Sequence, residues 1–263
     1  MATNTPAVLY RGNPQYGATN VVRTVTTAAL TSNLVTLTFG SNHGLTQVGT
    51  LINVQGVGAS YDGIYPVNSF PGLNTATYVV TTANIPSAAV TPNGSAILNS
   101  GVVNGGAISN NAIVDYTAII TTSASHGLAI GDIVCVNTGT TGTDGTFVVT
   151  SIPSATLFTF TTTTQTLASA AISQGSFGEA PAIYTVPAST TAIITNIAIS
   201  NPTREALTAS ITLDNIGLLS QVTVASNSTT FVDLKQVLET TKKISILTTA
   251  AQADVSISGM TVV

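Results

Sequence analysis

His126-Gly127-Leu128-Ala129-Ile130-Gly131-Asp132-Ile133-Val134-Cys135-Val136, followed after seven residues by Asp144-Gly145-Thr146-Phe147-Val148-Val149-Thr150-Ser151-Ile152-Pro153, decides how this chain is read. Apolar residues come in short runs or alternate with Thr and Ser. Thr and Val are stiff at χ1 and fit a pleated surface, so the runs predict strands, and the glycines between them predict turns. The stretch also has an echo. His43-Gly44-Leu45, then Gly49, Ile52 and Val54, then Tyr61-Asp62-Gly63-Ile64-Tyr65-Pro66-Val67, repeat its order at an offset of 83 residues at the histidines and 82 at the Asp-Gly pairs.

Outward from these two stretches, Thr75-Ala76-Thr77-Tyr78 lies opposite Ser154-Ala155-Thr156-Leu157-Phe158, and Gly94 opposite Gly175. The reach of the match predicts two copies of one small β-barrel or sandwich domain, at 21–98 and 112–178. The Gly- and Asn-rich piece 99–111 reads as a flexible linker, and 1–20 as an N-terminal arm that orders against a neighbouring subunit. From 179 to 263 the pattern changes. Strands are predicted at 183–187, 193–199, 208–213, 221–224, 229–234, 244–247 and 254–263, enough for a β-sandwich, immunoglobulin-like or jelly-roll. Only Asp233 to Thr241, around Leu234, Val237 and Leu238, has spacing for a turn or two of helix. The fold class is all-β.

Charged residues make up 6% of the 263 residues, against roughly 25% in a typical soluble protein. Thr, Ser, Asn and Gln take their place, so copies of the chain repel one another little and lose little hydration when they meet. The net charge of −4, with Lys242 and Lys243 the only adjacent basic pair, offers no groove for nucleic acid. A single cysteine, Cys135, cannot close a disulfide within the chain, which suits assembly in a reducing cytoplasm. The first residues carry no secretory-signal pattern, and no apolar run is long enough for a membrane span.

The candidate residues for chemistry are few. His126 could serve as a metal ligand or base beside Asp132 or Asp144, but Thr50 stands in the first copy where Asp132 stands in the second, so one site cannot be built twice. The simpler reading makes His43-Gly44 and His126-Gly127 turns in which Gly takes positive φ and the imidazole bonds to a nearby carbonyl. Asp62-Gly63 and Asp144-Gly145 read as two-residue type I′ hairpins. Cys135 is expected to be a buried, inert thiol. No catalytic, cofactor or metal signature is present in the sequence, and no cofactor is expected. Arg204 and Glu205, and Tyr10, Arg11 and Tyr16 in the arm, are the candidate partner contacts.

The His-Gly-Leu turn, the Gly-Asp strand after it and the Asp-Gly-Thr-Phe-Val-Val-Thr-Ser-Ile run resemble a module of bacteriophage structural proteins. The first copy departs from it at Gln47-Val48-Gly49-Thr50. Ile183-Tyr184-Thr185-Val186-Pro187-Ala188 and Val255-Ser256-Ile257-Ser258-Gly259 make the third domain resemble a phage virion domain as well. The resemblance implies a non-enzymatic virion component, assembled in the host cytoplasm as a homo-oligomer with other phage head or tail proteins. Tail, baseplate, neck, fibre and capsid decoration all remain open. The rival expectation is a carbohydrate- or host-receptor-binding adhesin, against which the lack of Trp and the scattered Tyr argue. A tail-associated enzyme ranks third.

Overall fold

The computed structural model describes residues 4–12, 20–99, 104–214, 216–248 and 253–263. Every regular element among them is a strand, and no helix is long and apolar enough to cross a membrane. The chain forms two compact units, one of residues 18–180 and one that joins 1–17 to 181–263. Strand β1 (Asn4–Gly12) therefore belongs with the C-terminal strands and is described with them.

In the unit 18–180 the first module comprises β2 (Asn20–Thr31), β3 (Leu34–Phe39), β4 (Leu51–Gln55), β5 (Gly63–Pro66), β6 (Ser69–Gly72), β7 (Thr75–Val79) and β8 (Ile85–Asn99). They pair antiparallel in the order β5-β4-β8-β2-β3-β7-β6. The two outermost strands are consecutive in sequence, joined only by Val67 and Asn68. Those two amides bond to Thr50 and Thr77, on β4's side and β7's side respectively. A chain that crosses from one edge to the other in two residues requires the sheet to curl into an open barrel. The alternation of Leu34-Val35-Thr36-Leu37-Thr38-Phe39 then has its cause: Val35, Leu37 and Phe39 enter the core with Leu30, Ile52, Val54 and Tyr78, and the intervening side chains stay half exposed.

The second module follows with β9 (Gly105–Val114), β10 (Thr117–Thr122), β11 (Ile133–Asn137), β12 (Gly145–Val148), β13 (Ser151–Ser154), β14 (Leu157–Thr161), β15 (Leu167–Ala171) and β16 (Ser176–Glu179). Its order, β12-β11-β16-β9-β10-β14-β13 with β15 also on β9, runs strand for strand like the first. The one difference is that the long β8 is matched by β15 and β16, separated at 172–175. Phe147, Phe158, Phe160 and Phe177 fill this core. All five residues of β11 are buried. Val134 and Val136 face their own core, while Cys135 and Asn137 reach the first module, with Sγ directed to the Ile64 carbonyl at 3.8 Å and Nδ2 donating to the Val79 carbonyl.

The piece 99–111 is not a free linker in its described part, because β9 starts at Gly105 and pairs with β16. Its glycines serve close packing. A Cβ on Gly49 would overlap the Phe177 carbonyl and the Gly106 amide, and one on Gly178 would overlap the Gly49 carbonyl. Backbones of the two modules meet there with no room for side chains. With Ser176 Oγ donating to the Pro66 carbonyl at 3.0 Å, the junction fuses the modules into one body.

The other unit contains β1 with β17 (Ala182–Thr185), β18 (Thr191–Asn201), β19 (Leu207–Leu213), β20 (Ile216–Val224), β21 (Ser228–Leu238), β22 (Lys243–Thr248) and β23 (Asp254–Val262). Its sheets are β1-β23-β18-β21 and β17-β22-β19-β20. Counted 1 to 8 in chain order, these read 1-8-3-6 and 2-7-4-5, the order of a jelly roll, so that of the two sandwiches left open by the sequence this one is adopted. Ile194, Ile197, Ile199, Ile211, Ile246 and Ile257 form the core between the sheets.

Two expectations are corrected here. The helix expected at 233–241 is instead the end of β21, to Leu238, and the turn that follows it; residues 228–235 alternate between half-buried and exposed while the strand pairs with β18. The 1–20 arm, expected to order on a neighbour, is an edge strand of the chain's own jelly roll over Asn4–Gly12. It pairs from Asn4↔Val262 to Gly12↔Val255, and Leu9 and Tyr10 pack on the core.

Deleting residues 1–12 is therefore expected to expose the amides of β23 and weaken the jelly roll, leaving the unit 18–180 folded. Hydrogen exchange checks this: protection should fall across residues 255–262 and 191–201 and stay unchanged in 25–39. Unchanged protection at 255–262 would contradict the structure's assignment of β1.

Candidate functional site

The two histidines occupy equivalent turns. In each, the amide two residues on donates to Nδ1 (Leu45 to His43 at 2.9 Å, Leu128 to His126 at 3.0 Å), and Nε2 faces a carbonyl (Gly72 at 3.0 Å, Ser154 at 3.1 Å). A ring whose Nδ1 accepts must carry its proton on Nε2, so both imidazoles are neutral donors to backbone. Each also lies edge-on to a phenylalanine, Phe39 or Phe158. Gly44 and Gly127 take φ of +72° and +68°. The departure at Thr50 is also resolved: Thr50 Oγ1 donates to the Gln47 carbonyl, while Asp132 Oδ2 accepts from the Ala129 amide, so each side chain closes the turn three residues before it.

Asp62 and Asp144 are not in two-residue I′ turns, since neither has the positive φ such a turn demands. They close longer loops, 56–62 and 138–144. Asp62 accepts from the amides of Gly56, Val57 and Gly58. Asp144 Oδ1 accepts from the amide and the hydroxyl of Thr138 at 2.6 and 2.7 Å, and the amides of Gly139 and Thr140 add to the same cradle. Gly63 and Gly145 begin the next strands at φ of +150° and +138°, each against the ring two residues on, Tyr65 or Phe147. Those rings stack on Tyr78 and Phe160, again at matching positions. Sequence spacing located these loops; the three-amide cradle was not legible because its donors are backbone groups.

A groove of about 340 Å³ lies between the modules, lined among others by Ser60, Tyr65, Thr82, Cys135, Asn137 and Asp144. Burial, then the nearby Asp144, pushes the Cys135 thiol up to about 12, which keeps it protonated and unreactive. Burial, then Cys135 and Asp62, likewise pushes Tyr65 up to about 12. The carboxyl of Asp144 is raised by burial against the lowering effect of its hydrogen bonds, and its Oδ2 is buried without a partner. Among the described residues no cluster of three or more His, Cys, Asp or Glu could hold a metal.

The remaining candidate residues are scattered. Arg204 and Glu205 are exposed in the loop after β18, which Asn201 pins by donating to the carbonyls of Glu205, Val224 and Ala225 and accepting from Thr203. Arg11 is exposed on β1. Tyr10, half-buried beside it, has its hydroxyl raised by burial and by Asp254. Tyr16 lies outside the described residues. A second cleft, about 430 Å³, opens on the jelly roll between β20 and the end of β21, where Ile216 and Val237 are exposed and Lys242 pairs with Asp214 at 2.9 Å. Nothing in the sequence marked it.

No family model matches the chain, and no curated protein matches it. Among solved structures, a phage phi92 endosialidase is 17% identical over 68% of this chain and 30% of its own, with a TM-score of 0.26. A cycloalternan-forming enzyme of Listeria monocytogenes is 8% identical over 88% of this chain and 30% of its own, with a TM-score of 0.20. The chain thus spans less than a third of either. Likeness at this level assigns neither activity nor partner.

Two outcomes follow from the site's geometry. Gly44→Ala meets open space and costs only the strain of a positive φ, about 1 kcal/mol. Gly49→Ala adds a backbone overlap at the module junction and should cost roughly 3 kcal/mol or more by chemical denaturation. For Asp144 the folded-state carboxyl is raised above its unfolded value, so its protonated form contributes stability at low pH that is lost as pH rises through the folded value. Compared with Asp144→Asn, which cancels the effect of every other acid, the natural protein should gain relative stability between neutrality and about pH 4. A relative loss on acidification would mean the loop's hydrogen bonds outweigh burial.

Proposed function

We propose that this chain is a non-enzymatic structural component of a bacteriophage virion, assembled in the host cytoplasm with copies of itself and with other phage head or tail proteins. The observation that carries the reading is where the reactive side chains go: His43, His126, Asp62, Asp144 and Asp132 each close a turn of their own module, and Cys135 is packed between modules. Chemistry-capable groups are thereby used as structural ties. What remains for interaction is a surface of Thr, Ser and Asn with few charges and a few exposed apolar side chains, among them Phe231 and, in the cleft of the jelly roll, Ile216 and Val237.

The matching strand orders support the reading of 21–98 and 112–178 as copies of one module, the module that resembles those of phage structural proteins. The jelly roll is an architecture shared by viral capsid and lectin domains, and fold alone does not choose between them. The lectin-like alternative, a glycan- or receptor-binding adhesin, is favoured by one feature, the inter-module groove that sets Ser60, Thr82, Asn137 and Asp144 beside Tyr65. Immunogold labelling of intact particles tests the first reading, and a glycan array tests the second.

Association through such surfaces should be nearly insensitive to salt. Raising ionic strength from about 0.1 to 1 M shortens the screening length from ~10 Å to ~3 Å, which weakens contacts between charges and leaves apolar and strand-edge contacts in place. Light scattering across that range should give an unchanged association midpoint. Dissolution of the assembly at high salt, or a monomer at every concentration, would count against the reading.

A further inference from the structure

Each sheet of the jelly roll turns one face to the core and the other outward. On the sheet β1-β23-β18-β21 the register sets the outward residues in rows that cross all its strands. Pro6 pairs with Met260, Met260 with Ile193 and Ile193 with Val237, so one row is apolar from edge to edge. The next outward row is Val8, Ser258, Asn196 and Asp233, and the one after it Arg11, Ser256, Ala198 and Phe231. Val8, Phe231 and Val237 are 59%, 66% and 60% exposed. Arg11 therefore stands at one edge of the face and Asp233 at the other, with β23 and β18 between them. Lys235 falls in the register shift of β21 between the first two rows. Among the described residues the one ion pair is Lys242 with Asp214, and Asp233 is held in place by Asn196 Nδ2 at 2.7 Å.

We propose that two copies of this chain pack these outward faces together about a two-fold axis parallel to the strands. This rests on the reading that copies assemble, and it names the surface through which a pair forms. Such an axis sets β1 of one copy over β21 of the other, and β23 over β18, row against the same row. The apolar row then meets itself, Pro6 on Val237 and Met260 on Ile193, twice over. Arg11 arrives over Phe231 of the second copy with Asp233 in the neighbouring row, so its guanidinium meets an aromatic face and a carboxylate. An axis across the strands, through the middle of the face, would instead lay the apolar row against Asp254, Ser200 and Thr229. One half of the face thus carries what the other half needs, which is the pattern of a contact between identical copies. Apolar contact supplies the adhesion and is indifferent to salt, while the exposed charges set how the copies face each other. At a strand spacing of ~4.8 Å and a rise of ~3.3 Å per residue, the pair buries on the order of 1,200 Å², the lower end of stable specific interfaces. One contact is modest, and repetition in an assembly strengthens it.

Sedimentation velocity at low salt, over a concentration series, compares the full-length protein with three full-length variants. Val237→Asp sets a carboxylate against the apolar row and should weaken pairing about tenfold or more. Its unfolding midpoint should not change, because Val237 is exposed. Arg11→Asp and Asp233→Arg bring like charges together, and each should weaken pairing. Mixed, those two variants should pair again as a heterodimer, since opposite charges then meet at both ends of the face. Two strands separate the positions within one chain, so only a contact between copies restores pairing. Charge variants that stay unpaired when mixed, or assemblies that form equally well from all three variants, overturn this face and leave assembly through another surface standing. Natural protein that is monomeric at every concentration overturns the pairing and the assembly of copies together. If Val237→Asp then also blocks incorporation into particles, a different virion protein covers the face.

Discussion

The ladder between β1 and β23 is the interaction on which the C-terminal unit depends. Without it, β23 becomes an edge with unpaired amides and carbonyls, and Leu9 and Tyr10 are withdrawn from the side of the core. The partners lie at opposite ends of the chain, Asn4 against Val262. A contact of such sequence separation forms late and at a high entropy cost of loop closure. β1 precedes the modules in the sequence and β23 follows them, so β1 is synthesised before the strand it pairs with.

The body 18–180 is held by a different device. Its modules repeat one solution to the problem of a curled sheet: a neutral histidine between two backbone groups, and a carboxylate gathering three successive amides. Between the modules, glycines let main chain approach main chain. Specific backbone contact takes the place of a large apolar interface, and a single methyl group at Gly49 or Gly178 would prop the junction open.

Much of this was written locally in the sequence. Alternation in 34–39 and the buried run 133–136 marked strands because side chains on a strand face opposite ways, and the offset of 82 to 83 residues marked turns with matching hydrogen bonds. What failed was set by partners far away. Thr5-Pro6-Ala7-Val8-Leu9-Tyr10-Arg11 has no alternation, so only β23 makes it a strand. Leu234, Val237 and Leu238 have helical spacing, yet pairing with β18 overrides it. Gly105-Gly106 looked like a flexible joint because glycines chosen for close approach and glycines chosen for freedom are the same in a sequence. Immunoglobulin-like and jelly-roll sandwiches differ only in which distant strands are neighbours.

Cryo-electron microscopy of the assembled protein, at a resolution that traces the chain, tests the central claim most directly. Every jelly roll should hold a nine-residue strand beside β23, in register from Asn4↔Val262 to Gly12↔Val255. A β23 that stands as a free edge in the assembly, or one paired with a different strand, would contradict the claim that the N-terminal strand completes this domain.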